Sequence, residues 1–187
     1  MHYIHAKHAY HHCDMISGLF RNFLIAEQAY QTALSCGYTQ SEISILMLDY
    51  AKREYLHEFK KIYSVQSSFN EDLAIKEFNG IYTALTVLEN HLIIEDLGLI
   101  VIGHLSHYLK KPRRLTDNLT QTLIDCHIDE SQIRKYELGL LMGGIVIAVD
   151  SQYARDTVKL NQEWKKLNVH SLKLVFDKNQ STVCSIA

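Results

Sequence analysis

The sequence predicts an α+β domain with a ferredoxin-like, four-stranded antiparallel sheet. Each end of the chain has the pattern of a strand, a helix and a strand, over 15–48 and 144–176. The stretch between them, about 50–127, is predicted to be a helical insertion. Two strands cannot cover their apolar face alone, whereas four strands backed by two helices can, so we expect the β-α-β halves to join in one sheet.

Composition supports a single domain. The chain has 187 residues, of which 47% are apolar and 21% charged, which is enough for one hydrophobic core. We place a His-rich tail at 1–14, the domain at 15–177 and a second tail at 178–187. The formal charge of −2 provides no net field that would attract nucleic acid or an anionic membrane.

The first β-α-β half has clear local signals. Residues 15–20 are predicted to form a strand, and Asn22 is a suitable N-cap for the helix that follows. Gly37 can adopt the left-handed conformation that ends many helices. The β-branched apolar run at 43–48 is predicted to be a buried strand.

Three helices are predicted in the insertion, over 48–63, 78–109 and 115–126. The basic stretch around Pro112 is predicted to be an exposed turn, because proline cannot continue a helix and clustered positive charges require water.

The second half follows a further helix, which is predicted to begin at Asp129 and to end at Gly143. Residues 144–149 have the composition of a strand, and Asp150 or the serine after it can cap the next helix. The alternating pattern at 169–176 predicts the closing strand.

The sequence contains no motif that identifies a reaction. A Gly-rich phosphate loop, a Gly-x-Ser-x-Gly turn and a Cys-x-x-Cys pair are all absent from it. The first 13 residues do not resemble a secretory signal, and the apolar stretch at 97–109 is shorter than the roughly 20 residues that span a bilayer. We therefore expect a cytoplasmic, non-enzymatic protein without a cofactor, a nucleic-acid partner or a membrane span.

Three segments are similar to a known family. They lie at 18–46, 97–105 and 128–149, and the most specific is Tyr-Glu-x-Gly-x-x-x-Gly-Gly at 136–144. Together they resemble the bacterial general stress proteins of the 17M, heat-induced type. The resemblance implies a role in a stress response and no established reaction. It also makes Tyr136 and Glu137 candidates for ligand binding, with packing of the helix as the alternative.

Two histidine pairs are candidate metal ligands. His8 and His12 would share a helical face, although a short His-rich tract can also bind metal adventitiously. His104 and His107 could bind metal or respond to pH, or they could be core residues with hydrogen-bond partners. Glu54 and His57 have the Glu-x-x-His spacing of di-iron bundles, but the second pair that such a site needs is absent from the sequence.

The pattern as a whole favours a binding or self-association module that forms a homodimer, since open sheets expose edges and faces. The alternatives are a metal-binding protein and a small-molecule-binding regulator with its pocket between the sheet and the helices.

Overall fold

The computed structural model describes residues 15–66, 80–87, 91–109, 118–126, 128–150 and 157–168. Within them, five strands form one open antiparallel sheet. The strands are β1 (Met15–Phe20), β2 (Ile43–Leu48), β3 (His91–Ile94), β4 (Leu99–Ile102) and β5 (Ile145–Asp150). Their order across the sheet is β1-β5-β2-β4-β3.

Seven α-helices accompany the sheet in these stretches. They are α1 (Phe23–Ser35), α2 (Asp49–Gln66), α3 (Ile81–Val87), α4 (Leu105–Tyr108), α5 (Leu119–Asp125), α6 (Glu130–Leu141) and α7 (157–168). A single turn of 3₁₀-helix, Glu95–Leu97, lies between β3 and β4. None of the helices in these stretches is long and apolar enough to cross a membrane.

The two ends of the domain meet in one sheet, as the sequence predicts. β5 lies between β1 and β2 and pairs antiparallel with both, with Met15 opposite Asp150 and Ile43 opposite Val149. The α+β class is therefore confirmed. The predicted closing strand at 169–176, like the tail at 178–187, lies outside the described residues, and the ferredoxin-like four-strand arrangement is not confirmed.

The helical prediction for 78–109 is wrong in its centre, because β3 and β4 form a hairpin there and add two strands to the sheet. Gly98 ends the connection with a φ of 58°, a left-handed conformation that glycine adopts without strain. Short apolar runs are compatible with either a helix or a strand by periodicity alone, and the β-branched residues on both sides of Gly98 favour a strand.

Three of the predicted helix ends, at Asn22, Asp129 and Gly143, are confirmed. The Asn22 side chain accepts hydrogen bonds from the backbone N–H groups of Leu24 and Ile25, at 2.8 and 3.4 Å. Asp129 caps α6 by accepting from the N–H of Ser131. At the other end of α6, Gly143 has a φ of 86°, and its N–H and that of the next residue donate back to carbonyl groups of the last turn.

Helices cover both faces of the sheet, so the domain has three layers. On one side, the α1 face, helices α1, α2, α3 and α7 enclose the larger apolar core. On the other, the α6 face, helices α4, α5 and α6 enclose the second core. Because successive residues of a strand point to opposite faces, every residue of β2 and β5 is buried. This explains why both strands appear in the sequence as continuous apolar runs.

The last helix is fixed to the α1 face by an aromatic residue. The indole of Trp164 packs edge-on against Phe20, with ring centroids 5.7 Å apart, and its Nε1–H donates to the carbonyl oxygen of Ala29 at 2.9 Å. Trp164 is the single tryptophan of the sequence and is 2% exposed, so its fluorescence reports on the integrity of this layer.

Candidate functional site

Tyr136, which the sequence selects as a candidate ligand-binding residue, lies on the buried side of α6. It is 3% exposed, and its hydroxyl shares a hydrogen bond of 3.0 Å with Ser17 Oγ on β1. Burial raises the pKa of Tyr136, whereas the hydrogen bond with Ser17 lowers it and the negative charge of Asp129 raises it. The hydrogen bond between Tyr136 and Ser17 connects α6 to β1 of the sheet. Glu137, the other member of the candidate pair, is half-buried on the same helix.

The two central histidines lie together at one end of the sheet. His104 directly precedes α4, and its ring centroid is 6.4 Å from that of His107. Nε2 of His104 is 3.9 Å from Oδ2 of Asp150, whose side chain is only 3% exposed. This separation is too long for a direct N–H···O bond, so the contact is electrostatic when the imidazole is protonated. The sequence suggested Asp150 only as a helix cap, and its pairing with His104 was missed.

Small polar residues surround this pair. Ser17 and Ser44 both lie opposite Ala148, which places the three side chains in a row across β1, β5 and β2 on the α6 face. Asp150 lies two residues beyond Ala148 on the same face, so its Cα is about 7–8 Å from those of both serines. We call Ser17, Ser44, His104, Tyr136 and Asp150 the sheet-end cluster.

The position of His104 depends on the glycine before it. Gly103 has a φ of 81°, and a Cβ atom there would collide with the carbonyl oxygen of Ile43. Only glycine combines this conformation with so close an approach to the neighbouring strand. The end of β4 can therefore turn across β2 and place His104 beside Asp150.

The hydroxyl groups of the sheet-end cluster are used inside the protein. Ser44 Oγ accepts a hydrogen bond of 3.0 Å from the N–H of Leu105, the first residue of α4. Ser17 and Tyr136 satisfy each other. The cluster thus holds α4 and α6 on the sheet and places the carboxylate of Asp150 beside the imidazole of His104. Within the described ranges, no group of three or more His, Cys, Asp or Glu side chains could hold a metal ion.

The remaining candidates are not brought together. His8 and His12 lie outside the described residues. Glu54 and His57 are both exposed on α2. The His91 ring, from β3, is hydrogen-bonded at 2.9 Å to the carbonyl oxygen of an alanine on α3. The side chains that a di-iron site would need therefore do not converge in the described part of the chain.

An exposed apolar surface lies at the C-terminal end of α6. Leu138, Leu141 and Met142 are 54%, 58% and 69% exposed, and their three- and four-residue spacing places them on one side of the helix. Tyr50 is 41% exposed and borders them, since its hydroxyl donates to the carbonyl oxygens of Leu140 and Leu141 at 3.0 and 2.7 Å. We call Tyr50, Leu138, Leu141 and Met142 the α6 surface.

Charges of both signs adjoin the α6 surface. Arg134 and Lys135 are exposed one turn before Leu138, and α6 also carries Glu130, which is exposed, and the half-buried Glu137. The helical periodicity of the sequence could have indicated this surface. Leu138 and Leu141 lie on a different side of α6 from Tyr136 and the other buried residues of that helix.

The fold and these features define a three-layer α+β protein with a partly buried polar cluster at one end of its sheet and an apolar surface on one outer helix. Comparisons with protein-family models, with curated proteins and with solved structures found no match to the chain. The resemblance to the general stress proteins therefore stays a prediction from the sequence.

Proposed function

We propose that this protein is a non-enzymatic binding module that self-associates through the α6 surface. The supporting observation is that four exposed side chains, three of them aliphatic, are contiguous at the end of α6. Single exposed apolar residues are normal on soluble proteins, whereas contiguous ones mark interaction sites. Tyrosine and methionine, both part of this surface, are also enriched in protein interfaces.

The proposed partner is a second copy of the chain. A two-fold dimer brings the same surface of both copies together. Because Arg134 and Lys135 lie on the same helix as Glu130 and Glu137, each copy offers charges of both signs to the other. A strongly acidic or strongly basic partner would leave part of these charges without an opposite charge.

The expected association is weak. Four side chains are a small part of the roughly 20–30 residues that each partner contributes to a standard interface. Association also has to overcome the loss of translational and rotational freedom, so we expect a dissociation constant on the order of 10–100 μM. The measurement must cover that concentration range.

Sedimentation equilibrium of the wild type and of Leu138→Gln/Met142→Gln tests the proposal. We expect a monomer–dimer equilibrium for the wild type and at least about tenfold weaker association for the double variant, which corresponds to a loss of about 1.4 kcal/mol. Leu24→Gln/Val158→Gln is the matched control, because these two residues are 46% and 67% exposed on α1 and α7, which pack on the opposite face of the sheet. A monomeric wild type at the highest concentration, or equal weakening in both double variants, would rule out the α6 surface as the interface.

The sequence resemblance adds a separate proposal, that the module acts in a stress response. Immunoblotting of the source cells before and after heat treatment tests it. An unchanged amount of protein would argue against the stress association and would leave the self-association proposal unaffected.

A further inference from the structure

The edge strand β1 has none of the features that usually protect a sheet edge. Among the described strands it pairs only with β5, so the backbone groups of every second residue face away from the sheet. The strand has six residues, Met-Ile-Ser-Gly-Leu-Phe, and carries neither a charge nor a proline. Natural proteins cover or interrupt such an edge, because it pairs readily with other chains. The opposite edge, β3, has only four residues and carries the exposed His91.

The connections over the α1 face indicate which edge the chain approaches after α7. β1 and β2 are parallel to each other, because both pair antiparallel with β5. The chain passes from β1 to β2 through α1, and it leaves β5 through α7, which packs on the same face. Crossovers between parallel strands are right-handed in about 98% of cases. Since β5 points opposite to β1, a crossover of the same hand over the same face leads from β5 in the opposite direction, towards β1.

The place beside β5 on that side is already taken by β1. A further strand in this crossover therefore lies on the outer edge of β1, parallel to β5 and antiparallel to β1. The position of α7 agrees with this. Trp164, one turn before the end of α7, packs on Phe20, the last residue of β1, and its ring would lie 3.3 Å from a Cβ atom at Gly18. The chain thus leaves α7 beside the end of β1, where a strand antiparallel to β1 has to begin.

We propose that the segment 169–176 of the same chain pairs antiparallel with the outer edge of β1 and protects it from other strands. This segment lies outside the described residues. Its sequence has the period of two expected of a strand, with Leu172 and Leu174 on one side and Ser171 and Lys173 on the other. Eight extended residues span about 26 Å, which is enough to cover the roughly 20 Å of β1. The proposal is independent of self-association through the α6 surface.

Nuclear magnetic resonance of the full chain tests the placement. We expect the β1 amides that face away from β5 to exchange about 100-fold or more slowly than amides of an unstructured chain. Nuclear Overhauser effects should connect α-protons of β1 with those of 169–176, and the partner number should fall along the segment as the number in β1 rises. Unprotected outward amides, or the absence of these α-proton contacts, would overturn the proposal.

A mixed sample distinguishes the chain's own segment from that of a second copy. Isotope-labelled and unlabelled protein are unfolded, combined and refolded together, and the contacts of β1 are then recorded within and between the two kinds of chain. We expect contacts with 169–176 only within labelled chains. Contacts of β1 with an unlabelled chain would show that a second copy covers this edge, contrary to the proposal.

A pair of proline variants completes the experiment. In Leu172→Pro/Lys173→Pro, one of the two prolines removes a donor that faces β1, because neighbouring residues of a strand direct their N–H groups to opposite sides. The outward amides of β1 should then lose their protection, whereas those that face β5 keep it. Thr182→Pro/Val183→Pro, in the tail at 178–187, is the matched control and should leave every β1 amide protected.

Equal protection of the outward amides in the two variants would contradict the pairing. Trp164 fluorescence verifies that both variants keep the α1 face folded. If Leu172→Pro/Lys173→Pro does not fold, the α-proton contacts of the wild type decide the question.

Discussion

Removal of one hydroxyl from each of two buried tyrosines should change the free energy of unfolding in opposite directions. Tyr55 and Tyr30 are 2% and 0% exposed and belong to the same core on the α1 face. The Tyr55 hydroxyl donates to Glu27 at 2.8 Å, whereas the Tyr30 hydroxyl is buried and has no hydrogen-bond partner among the described residues. Replacement by phenylalanine removes the same atom in both cases, so the opposite signs distinguish a hydroxyl with a hydrogen-bond partner from a buried one without.

The expected change in the free energy of unfolding differs between the two variants. The net contribution of a hydrogen bond is roughly 0.5–1.5 kcal/mol between neutral groups and roughly 1.5–3 kcal/mol to a charged group. Because Glu27 is half-buried and keeps its hydrogen bond from Ile81, we expect Tyr55→Phe to destabilise by about 1–2 kcal/mol. A buried hydroxyl without a partner carries a desolvation cost of roughly 1–3 kcal/mol, which Tyr30→Phe relieves. After allowance for the small void that remains, Tyr30→Phe should stabilise by about 0.5–1 kcal/mol.

Urea denaturation at pH 7, followed by the fluorescence of Trp164, measures both effects. At constant m-value, a shift of the midpoint gives the change in the free energy of unfolding directly. In thermal unfolding, each kcal/mol should move Tm by about 2–4 °C for a domain of this size. If Tyr30→Phe lowers the stability as much as Tyr55→Phe does, the hydroxyl of Tyr30 has a partner and the reasoning is refuted.

Two further predictions concern the sheet. Gly103→Ala should destabilise by about 3 kcal/mol or more, because it combines a positive φ with a collision against the Ile43 backbone. Gly98→Ala should cost only about 1–2 kcal/mol, because Gly98 has a positive φ but, apart from its chain neighbours, no atom of the described residues lies within 4 Å of the added carbon. Equal thermal shifts in the two variants would contradict the close approach at Gly103. A double-mutant cycle of Tyr136→Phe and Ser17→Ala, measured by urea denaturation, should give a coupling energy of about 0.5–1.5 kcal/mol, and additivity of the single variants would show that their hydrogen bond does not stabilise the fold.

The elements that the sequence predicted correctly depend on local chemistry. The Asn22 cap follows from backbone N–H groups that only certain side chains can satisfy. The helix ends at Gly37 and Gly143 follow from a left-handed conformation that glycine adopts without strain. The strands at 15–20 and 43–48 follow from their β-branched and apolar composition. The hairpin of β3 and β4 was missed because four-residue apolar strands provide too few positions to establish a period.

The candidate site was only partly predictable. His104 could be selected from its residue type, but its partner Asp150 is distant along the chain, and their proximity arises from the turn at Gly103 and from the position of β5 next to β2. Tyr136 was selected by a motif, whereas its hydrogen bond to Ser17 requires that α6 cross β1. Periodicity can place Leu138 opposite Tyr136, but it does not show whether another helix covers that side.

The sequence alone determined the helix caps at Asn22 and Asp129, the left-handed helix ends at Gly37 and Gly143, three of the five described strands and the pairing of the two ends in one sheet. These features arise from backbone preferences and from apolar faces that must be covered. The tertiary structure decided the five-strand order, the coverage of both sheet faces, the meeting of His104 with Asp150 and the burial of Glu27 among three helices. These depend on contacts between residues far apart in the chain, whose free energies exist only after the layers have packed.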